Sequence, residues 1–441
     1  MWPLFVLGAI AFVPVIIACF TANKAVKGVL SVISFLGLLI FAFLTAGFLL
    51  PNYVGVNGIW LSFALCGAIY LVFMLFVWKP FTVKIRRITI FSITGILVIL
   101  VAVFIVPPVY RESIPQASEE INLSMYTPFG SYWYVDGVLT HHESSVAKLN
   151  GKSSLNLSGD LPRLDGATAL YPLYAAFVRA AYPAPEPNLD IPQYSVYGDF
   201  QDNEYGGSYL AVCSRTAGAF ENLINGYADI IFLMGVSYEQ RAMAEARGLE
   251  LILTPIGREA FVFFVNSRNN TANLSVDDIK RIYTGEATNW REVGGANSEI
   301  RAYQRLENSG SQTMLKHVMG ETPLAPAPMD EIFNTMMGMY ERVASYRNYR
   351  NSLGYSFLFY INDMIGENKV KFLSINGIEP TRENILNGAY PFADNFYAIT
   401  VKHNGVYLNT ERTDNINRFL EWMLSPEGQY LVETTGYIPI H

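Results

Sequence analysis

The chain has 441 residues, of which 51% are hydrophobic, a high share for a protein that lies wholly in water. Its charge is uneven: residues 1–110 contain no acidic residue and only 6 basic ones, whereas residues 111–441 carry all 38 acidic residues and a formal net charge of −13. A single water-soluble unit is therefore excluded, and the two parts are expected to lie in different solvents.

Four apolar runs lie within the first part, at approximately 2–20, 29–50, 59–78 and 88–109. About 20 apolar residues are enough for a helix to cross the hydrocarbon core of a bilayer. Because the bilayer offers no water to backbone groups, each run is expected to close its hydrogen bonds internally. The sequence therefore predicts a bundle of four transmembrane helices, with the lipid bilayer as a partner.

Basic residues orient this predicted bundle. Two lysines follow the first run and four basic residues follow the third, whereas the loop at 51–57 is uncharged. Cytoplasmic loops carry an excess of Lys and Arg. We therefore predict a multi-pass protein of the cell membrane whose N-terminus is outside and whose chain after Tyr110 is extracytoplasmic.

The cysteines bear on an alternative for the first run, a lipoprotein signal with the lipid on Cys19. Such signals open with positive charge, and Met1–Phe20 has none, which favours the membrane span. Cys213 is the only cysteine of residues 111–441, so an intrachain disulfide is impossible there. A disulfide-dense extracellular scaffold is thereby excluded.

Residues 111–160 are polar and irregular, and we interpret them as a connector that contributes a strand or two. His141 and His142 are adjacent within it, but no third ligand stands at a useful spacing. A solvated turn is therefore favoured over a metal site. We expect no metal and no cofactor.

From Leu161 onward, short apolar runs alternate with amphipathic stretches, which is typical of parallel sheets flanked by helices. A segment of about 280 residues is large for one hydrophobic core, so two lobes are expected. The predicted strands include Leu249–Pro255 and Ala260–Val265, and the predicted helices include Pro172–Ala181, Ala219–Asn225 and Val276–Tyr283.

Three polar segments that contain glycine stand before predicted helices, at 165–169, 214–218 and 305–311; the third helix is expected to begin near Thr313. A helix N-terminus presents N–H groups without intrahelical partners and a partial positive charge, which favour anions. Arg305 adds a planar fork suited to oxyanions. Ser and Thr are favoured N-caps in any helix, so each segment taken alone is better explained as an ordinary N-cap than as an anion site.

Four stretches of the chain resemble the phosphate-binding proteins of ABC transporters, in consistent order over about 161–441. The most specific element is the Thr-Gly-Glu-Ala-Thr-Asn-Trp motif, which lies within 282–290. The four stretches are Asp165 to Leu173, Ile282 to Trp290 with 292–295 after it, Ser352 to Tyr355, and Leu424 to Gln429 with Gly436 to Pro439 after it.

This resemblance implies an α/β, two-lobed periplasmic-binding-protein type II fold that closes about a hinge. Lobe 1 is expected at approximately 161–256 and 396–441, and lobe 2 at 257–395, with chain crossings near Ile256–Val265 and Tyr390–Thr400. Glu307 matches the acidic residue that steadies the arginine. The implied anion contacts are Thr168, the backbone of Ala169, Thr216, Arg305, Ser309, Gly310 and Ser311.

Met234 departs from the family pattern, because it stands where the family usually has an aspartate whose carboxylate accepts a hydrogen bond from the protonated oxygen of hydrogen phosphate. Such a carboxylate separates protonated phosphate from fully ionised sulfate, since it repels an unprotonated oxygen. Its loss predicts relaxed discrimination between the two anions. Asp229 matches a different, structural position.

The leading functional hypothesis is a membrane-anchored solute-binding protein that captures phosphate or a similar oxyanion for an ABC permease. Tethering would keep it at high effective concentration near its membrane partners. The alternative is an oxyanion-sensing receptor that signals through a membrane partner. An enzyme is disfavoured, because the sequence contains no nucleophile elbow or zincin motif. No nucleic-acid partner is expected.

Overall fold

The computed structural model describes Val26 and residues 121–440, with gaps at 136–137, 186–193, 195, 197–199, 201–208, 329–330 and 346–349. The chain divides into two units, Met1–Pro115 and Gln116–His441. The four predicted spans lie outside the described residues. Among the residues that are described, no helix has the length and apolar character needed to cross a membrane.

The strands of the second unit are mostly short, with two long exceptions, β5 and β13. In chain order they are β1 Ser131–Val135, β2 Val138–His142, β3 Leu164–Gly166, β4 Ile230–Leu233, β5 Leu249–Asn266, β6 Asn273–Leu274, β7 Arg301–Ala302, β8 Gln304–Arg305, β9 Ile332–Phe333, β10 Ser352–Phe357, β11 Val370–Phe372, β12 Ser374–Ile375, β13 Ala393–His403 and β14 Val406–Tyr407. The hairpin β1–β2 lies in the predicted connector.

The helices alternate with these strands, as the sequence pattern predicts. They are α1 Tyr171–Ala181, α2 Arg215–Ile224, α3 Tyr238–Ala246, α4 Val276–Tyr283, α5 Gly310–Met319, α6 Met336–Ala344, α7 Arg382–Leu386, α8 Thr413–Met423 and α9 Pro426–Thr435, with a π-helix at Tyr360–Ile365 and short 3-10 turns at Leu123–Tyr126, Thr168–Leu170, Trp290–Val293 and Thr410–Arg412.

One strand, β5, links two halves of the main sheet. Its residues 249–260 pair antiparallel with β13, which also pairs with β4, and β4 pairs parallel with β3. Its residues 261–266 pair antiparallel with β10 and β11, and β10 pairs parallel with β7. We call these groups the first and second half-sheets; the two predicted chain crossings fall in the middle of β5 and at the start of β13.

The two predicted strands Leu249–Pro255 and Ala260–Val265 are one strand. The prediction of a break was wrong because a bulge absorbs the irregularity: Phe396 pairs with Gly257 and Tyr397 with Pro255, which leaves Ile256 as the additional residue. The apolar run at 260–265 is wholly buried, as expected for a strand covered on both faces.

Two helices begin earlier than predicted. Helix α2 begins at Arg215 instead of Ala219, and α5 begins at Gly310 instead of near Thr313. In α5 the Ser309 side chain accepts from the N–H of Gln312, so the polar segment itself forms the first turn. Helices α1 and α4 match their predicted positions within one residue.

Candidate anion-binding site

A cavity of about 200 Å³ lies where two helices and a 3-10 turn begin. Helix α2 packs against β3 and β4 of the first half-sheet, whereas α5 contacts β10 of the second half-sheet and β8, which pairs with β9 in a separate two-stranded sheet. The seven implied anion contacts and Glu307 all line this cavity. Its full lining is Ala167, Thr168, Ala169, Ser214, Arg215, Thr216, Ala217, Arg305, Leu306, Glu307, Ser309, Gly310, Ser311, Asn334, Met336 and Phe357.

The first wall segment follows β3. The Ala167 N–H donates to the Phe232 carbonyl at 2.9 Å, which ties the segment to β4. A 3-10 turn then begins at Thr168 and runs into α1. Thr168 and Ala169 therefore stand in a first turn, where N–H groups have no intrahelical acceptor.

Asp165 joins the first segment to the second. Its carboxylate accepts from the Ser214 N–H at 2.7 Å and from the Asn222 side chain at 2.8 Å. It also accepts from the Gly166 N–H at 2.7 Å. Burial raises the pKa of Asp165 to about 6, against the lowering effect of these donors. Its oxygens are directed at the backbone of the segments, and it is not among the residues that line the cavity.

The second wall segment is the start of α2. Thr216 is buried and lies in the first turn of the helix. Directly opposite, a Cβ placed on Gly310 would lie 2.8 Å from the Thr216 hydroxyl oxygen. Only glycine allows this approach, so the N-termini of α2 and α5 face each other across the cavity at close range.

The third wall segment runs from Arg305 into α5. The Arg305 N–H donates at 2.9 Å to both Gln312 and Tyr355, and its guanidinium donates to the Asn334 carbonyl at 3.1 Å. A guanidinium has five N–H donors, so one held in this way can still bind an oxyanion. Arg305 is 7% exposed, which strengthens any charge interaction it makes.

Ser311 gives this wall a donor that the fold itself leaves unused. The residue is 2% exposed and lines the cavity. Within the described residues its hydroxyl has no hydrogen-bond partner. Buried polar atoms are nearly always satisfied, so an orphan in a cavity wall indicates a place for a polar ligand.

The carboxylate that lines the cavity belongs to Glu307. This carboxylate forms an ion pair with Lys316 at 2.6 Å, and the hydrogen bond from Lys316 to Glu307 raises the pKa of that lysine. Lys316 also lies 3.7 Å from Glu239 on α3. That Glu307 steadies Arg305 therefore stays a prediction.

Sequence reasoning placed Arg215 in the second polar segment without a contact role, and it missed three further lining residues, Asn334, Met336 and Phe357. The last three reach the cavity only through tertiary packing, which no local pattern encodes. Met234, by contrast, is 6% exposed, belongs to the hydrophobic core and is not among the lining residues. Among the described residues no group of three metal-ligating side chains is present.

The arrangement is suited to holding a small oxyanion. Two opposed helix N-termini supply N–H donors and partial positive charge, Thr216 and Ser311 supply hydroxyls, and Arg305 supplies a buried cation. Hydrogen-bond donors of this kind can bind any tetrahedral oxyanion of suitable size.

Known proteins are similar to a large part of this chain. A model of the PBP superfamily domain matches residues 200–427. The phosphate-binding protein PstS of Bacillus subtilis is 26% identical over 293 residues, which cover 66% of this chain and 84% of the relative. PstS of Borreliella burgdorferi is 25% identical over 232 residues, 49% of this chain and 76% of the relative. The solved structure of an ABC-type phosphate transport receptor from Vibrio cholerae superposes with a TM-score of 0.43 at 18% identity, covering 63% of this chain and 99% of that one.

Proposed function

Because the chain belongs to the PBP superfamily, we propose that it is an extracytoplasmic solute-binding protein that captures phosphate or a similar oxyanion for an ABC transporter. The observation that carries this proposal is the cavity in which the starts of α2 and α5 face each other around Arg305. Helix N-termini and a guanidinium together form an anion site. The unsatisfied hydroxyl of Ser311 supports a polar occupant.

The names of the relatives support the same substrate class. The proteins from Bacillus subtilis and Borreliella burgdorferi both carry the name of phosphate-binding proteins. Binding without chemistry also fits the groups near the cavity. Burial raises the pKa of the Cys213 thiol to about 12, so this thiol is neutral and poorly nucleophilic at physiological pH.

The proposed ligand contacts are those that the motifs imply. Thr168 and the Ala169 backbone approach from the first segment, and Thr216 from the second. Arg305, Ser309, Gly310 and Ser311 approach from the third. Met234 holds the predicted acid position and does not line the cavity, and the one lining carboxylate, Glu307, is paired with Lys316, so the proposal extends to oxyanions other than phosphate.

The proposal places this domain outside the cell, tethered by the four apolar runs of residues 1–110 and delivering its ligand to an ABC permease. Support for the tether comes from the absence of acidic residues in that part of the sequence and from the two basic loops. A tether of this kind would raise the effective concentration of the binding domain at the permease.

Replacement of Arg305 tests the site directly. Arg305→Ala in the full-length chain should weaken binding of inorganic phosphate or sulfate by about 1.5–3 kcal/mol, the range for hydrogen bonds to a charged group, or roughly tenfold to 150-fold in Kd. Arg305→Lys should also weaken it, because a point charge cannot replace the fork. Isothermal titration calorimetry measures both changes.

The matched control is Arg291→Ala, which removes an exposed arginine that does not line the cavity. It should leave Kd unchanged. If the wild type binds an oxyanion and Arg305→Ala binds it equally well, the proposed site is wrong; if the wild type binds neither anion, the proposed ligand class is wrong.

A further inference from the structure

Arg215 has a backbone conformation that its side chain disfavours. Its φ is 63°, in the left-handed region. Among the described residues, the other non-glycine positions with positive φ are Asn308, Asn376 and Asn404. Asparagine tolerates this region, whereas for a long side chain it costs free energy. Strain of this kind persists where the residue has a use.

The location of Arg215 indicates what that use is. It is the first residue of α2, it is exposed, and it lines the cavity beside Thr216. Glycine would adopt the same backbone without strain. The cavity wall therefore carries a long cationic side chain at a place where the backbone alone would be satisfied by glycine.

The charges around the cavity leave this guanidinium available for a ligand. The charged residues of the lining are Arg215, Arg305 and Glu307, and Glu307 is paired with Lys316 at 2.6 Å. Within the part of the chain that the structure describes, no salt bridge involves Arg215. The lining thus contains two guanidinium groups against one carboxylate that already has a partner.

We propose that Arg215 is a second cationic contact for the bound oxyanion and that it makes the site selective for doubly charged tetrahedral anions. The inference rests on the proposed function. A cation attracts a dianion twice as strongly as a monoanion at the same distance. The one carboxylate of the lining, Glu307, is paired with Lys316 at 2.6 Å, so it is not positioned to accept a hydrogen bond from a protonated oxygen of the ligand.

The test uses Arg215→Gln, Arg215→Lys and Arg215→Gly in the full-length chain, titrated with sulfate and inorganic phosphate at about pH 6 and about pH 8. Arg215→Gln should weaken sulfate binding about tenfold, the order expected for a charge-assisted hydrogen bond, and Arg215→Lys should weaken it less. The wild-type affinity for phosphate should rise with pH as the dianion becomes the main species. That rise should be smaller in Arg215→Gln.

Arg215→Gly separates the contact from folding. It should lose the same affinity as Arg215→Gln while its thermal unfolding midpoint stays equal to or above that of the wild type, because glycine relieves the strained φ. Arg241→Gln, which removes an exposed arginine outside the cavity lining, is the control and should bind like the wild type.

Two results would overturn the inference. In the first, Arg215→Gln binds sulfate and phosphate with affinities within about twofold of those of the wild type. This would contradict the proposal because the change removes a full charge from the proposed contact. The other is an unchanged rise of phosphate affinity with pH in Arg215→Gln, which would remove the role in charge selectivity. Failure of the wild type to bind either anion would instead count against the proposed function.

Discussion

At the scale of single residues, Asp165 shows how a buried carboxylate can organise a site without facing the ligand. It is fully buried and accepts three hydrogen bonds, from Gly166, Ser214 and Asn222. These bonds fix the start of α2 relative to the turn at Thr168. The placement of Thr168 and Thr216 in the cavity wall therefore depends on Asp165, which is buried behind the wall and does not line the cavity.

The raised pKa of Asp165 predicts a pH-dependent stability. Burial raises that pKa from 3.8 to about 6, so its contribution to the unfolding free energy is fully present below about pH 3.8 and is lost as the pH rises through about 6. The loss amounts to about 3 kcal/mol by linkage. Asp165→Asn should therefore flatten the fall in unfolding free energy between about pH 4 and about pH 7, measured by urea denaturation.

The control for this measurement is Asp160→Asn, which removes an exposed carboxylate and should leave the pH profile as in the wild type. An Asp165→Asn profile that is parallel to that of the wild type would mean that Asp165 titrates at its ordinary pKa in the folded protein.

At the scale of elements, local sequence signals predicted where a helix lies and which family the chain resembles. They predicted less well which side chains contact each other. The Ser275 and Asp278 side chains form a capping box, and α4 begins where the pattern places it. The motif through Trp290 identified the family, yet Trp290 is buried and donates to the Asn351 carbonyl, a role in folding. The pairing of Glu307 with Lys316, nine positions along the chain, depends on the early start of α5 and was not predictable from spacing.

Lys316 connects elements from the two sides of the cavity. It lies on α5, whereas Glu239, at 3.7 Å, lies on α3, which packs against β5. Both side chains are partly exposed, so their coupling should be small. A double-mutant cycle with Glu239→Gln and Lys316→Met should give a coupling of about 0.2–1 kcal/mol in the free energy of unfolding.

The salt dependence of the coupling tests whether it is electrostatic. The coupling should disappear at about 1 M salt, where the Debye length is about 3 Å. Lys152→Met, at an exposed lysine of the connector, should show no coupling with Glu239→Gln at low or at high salt. A coupling that is absent at low salt would show that the ion pair does not link α3 to α5 in solution.

At the scale of the whole molecule, one strand, β5, connects the two half-sheets on either side of the cavity. Residues 249–260 of β5 belong to the first half-sheet and 261–266 to the second, so the backbone passes directly from one side of the cavity to the other. Sequence patterning predicted the α/β class because apolar runs and amphipathic stretches alternate. It did not predict the continuity of β5, because Pro255 and Gly257 look like a break until the bulge opposite Phe396 is seen.

The predicted orientation of the whole chain rests on where its charges lie. Residues 1–110 contain no acidic residue, and basic residues cluster at 21–28 and 79–87. Because Lys and Arg are retained on the cytoplasmic side, reporter enzymes fused after Tyr110 should be active only as extracytoplasmic reporters. Fusions within 21–28 and 79–87 are the matched controls and should score as cytoplasmic. A fusion after Tyr110 that scores as cytoplasmic would contradict the number of spans, and with it the proposal of an extracytoplasmic solute-binding protein, because the cavity would then face the wrong compartment.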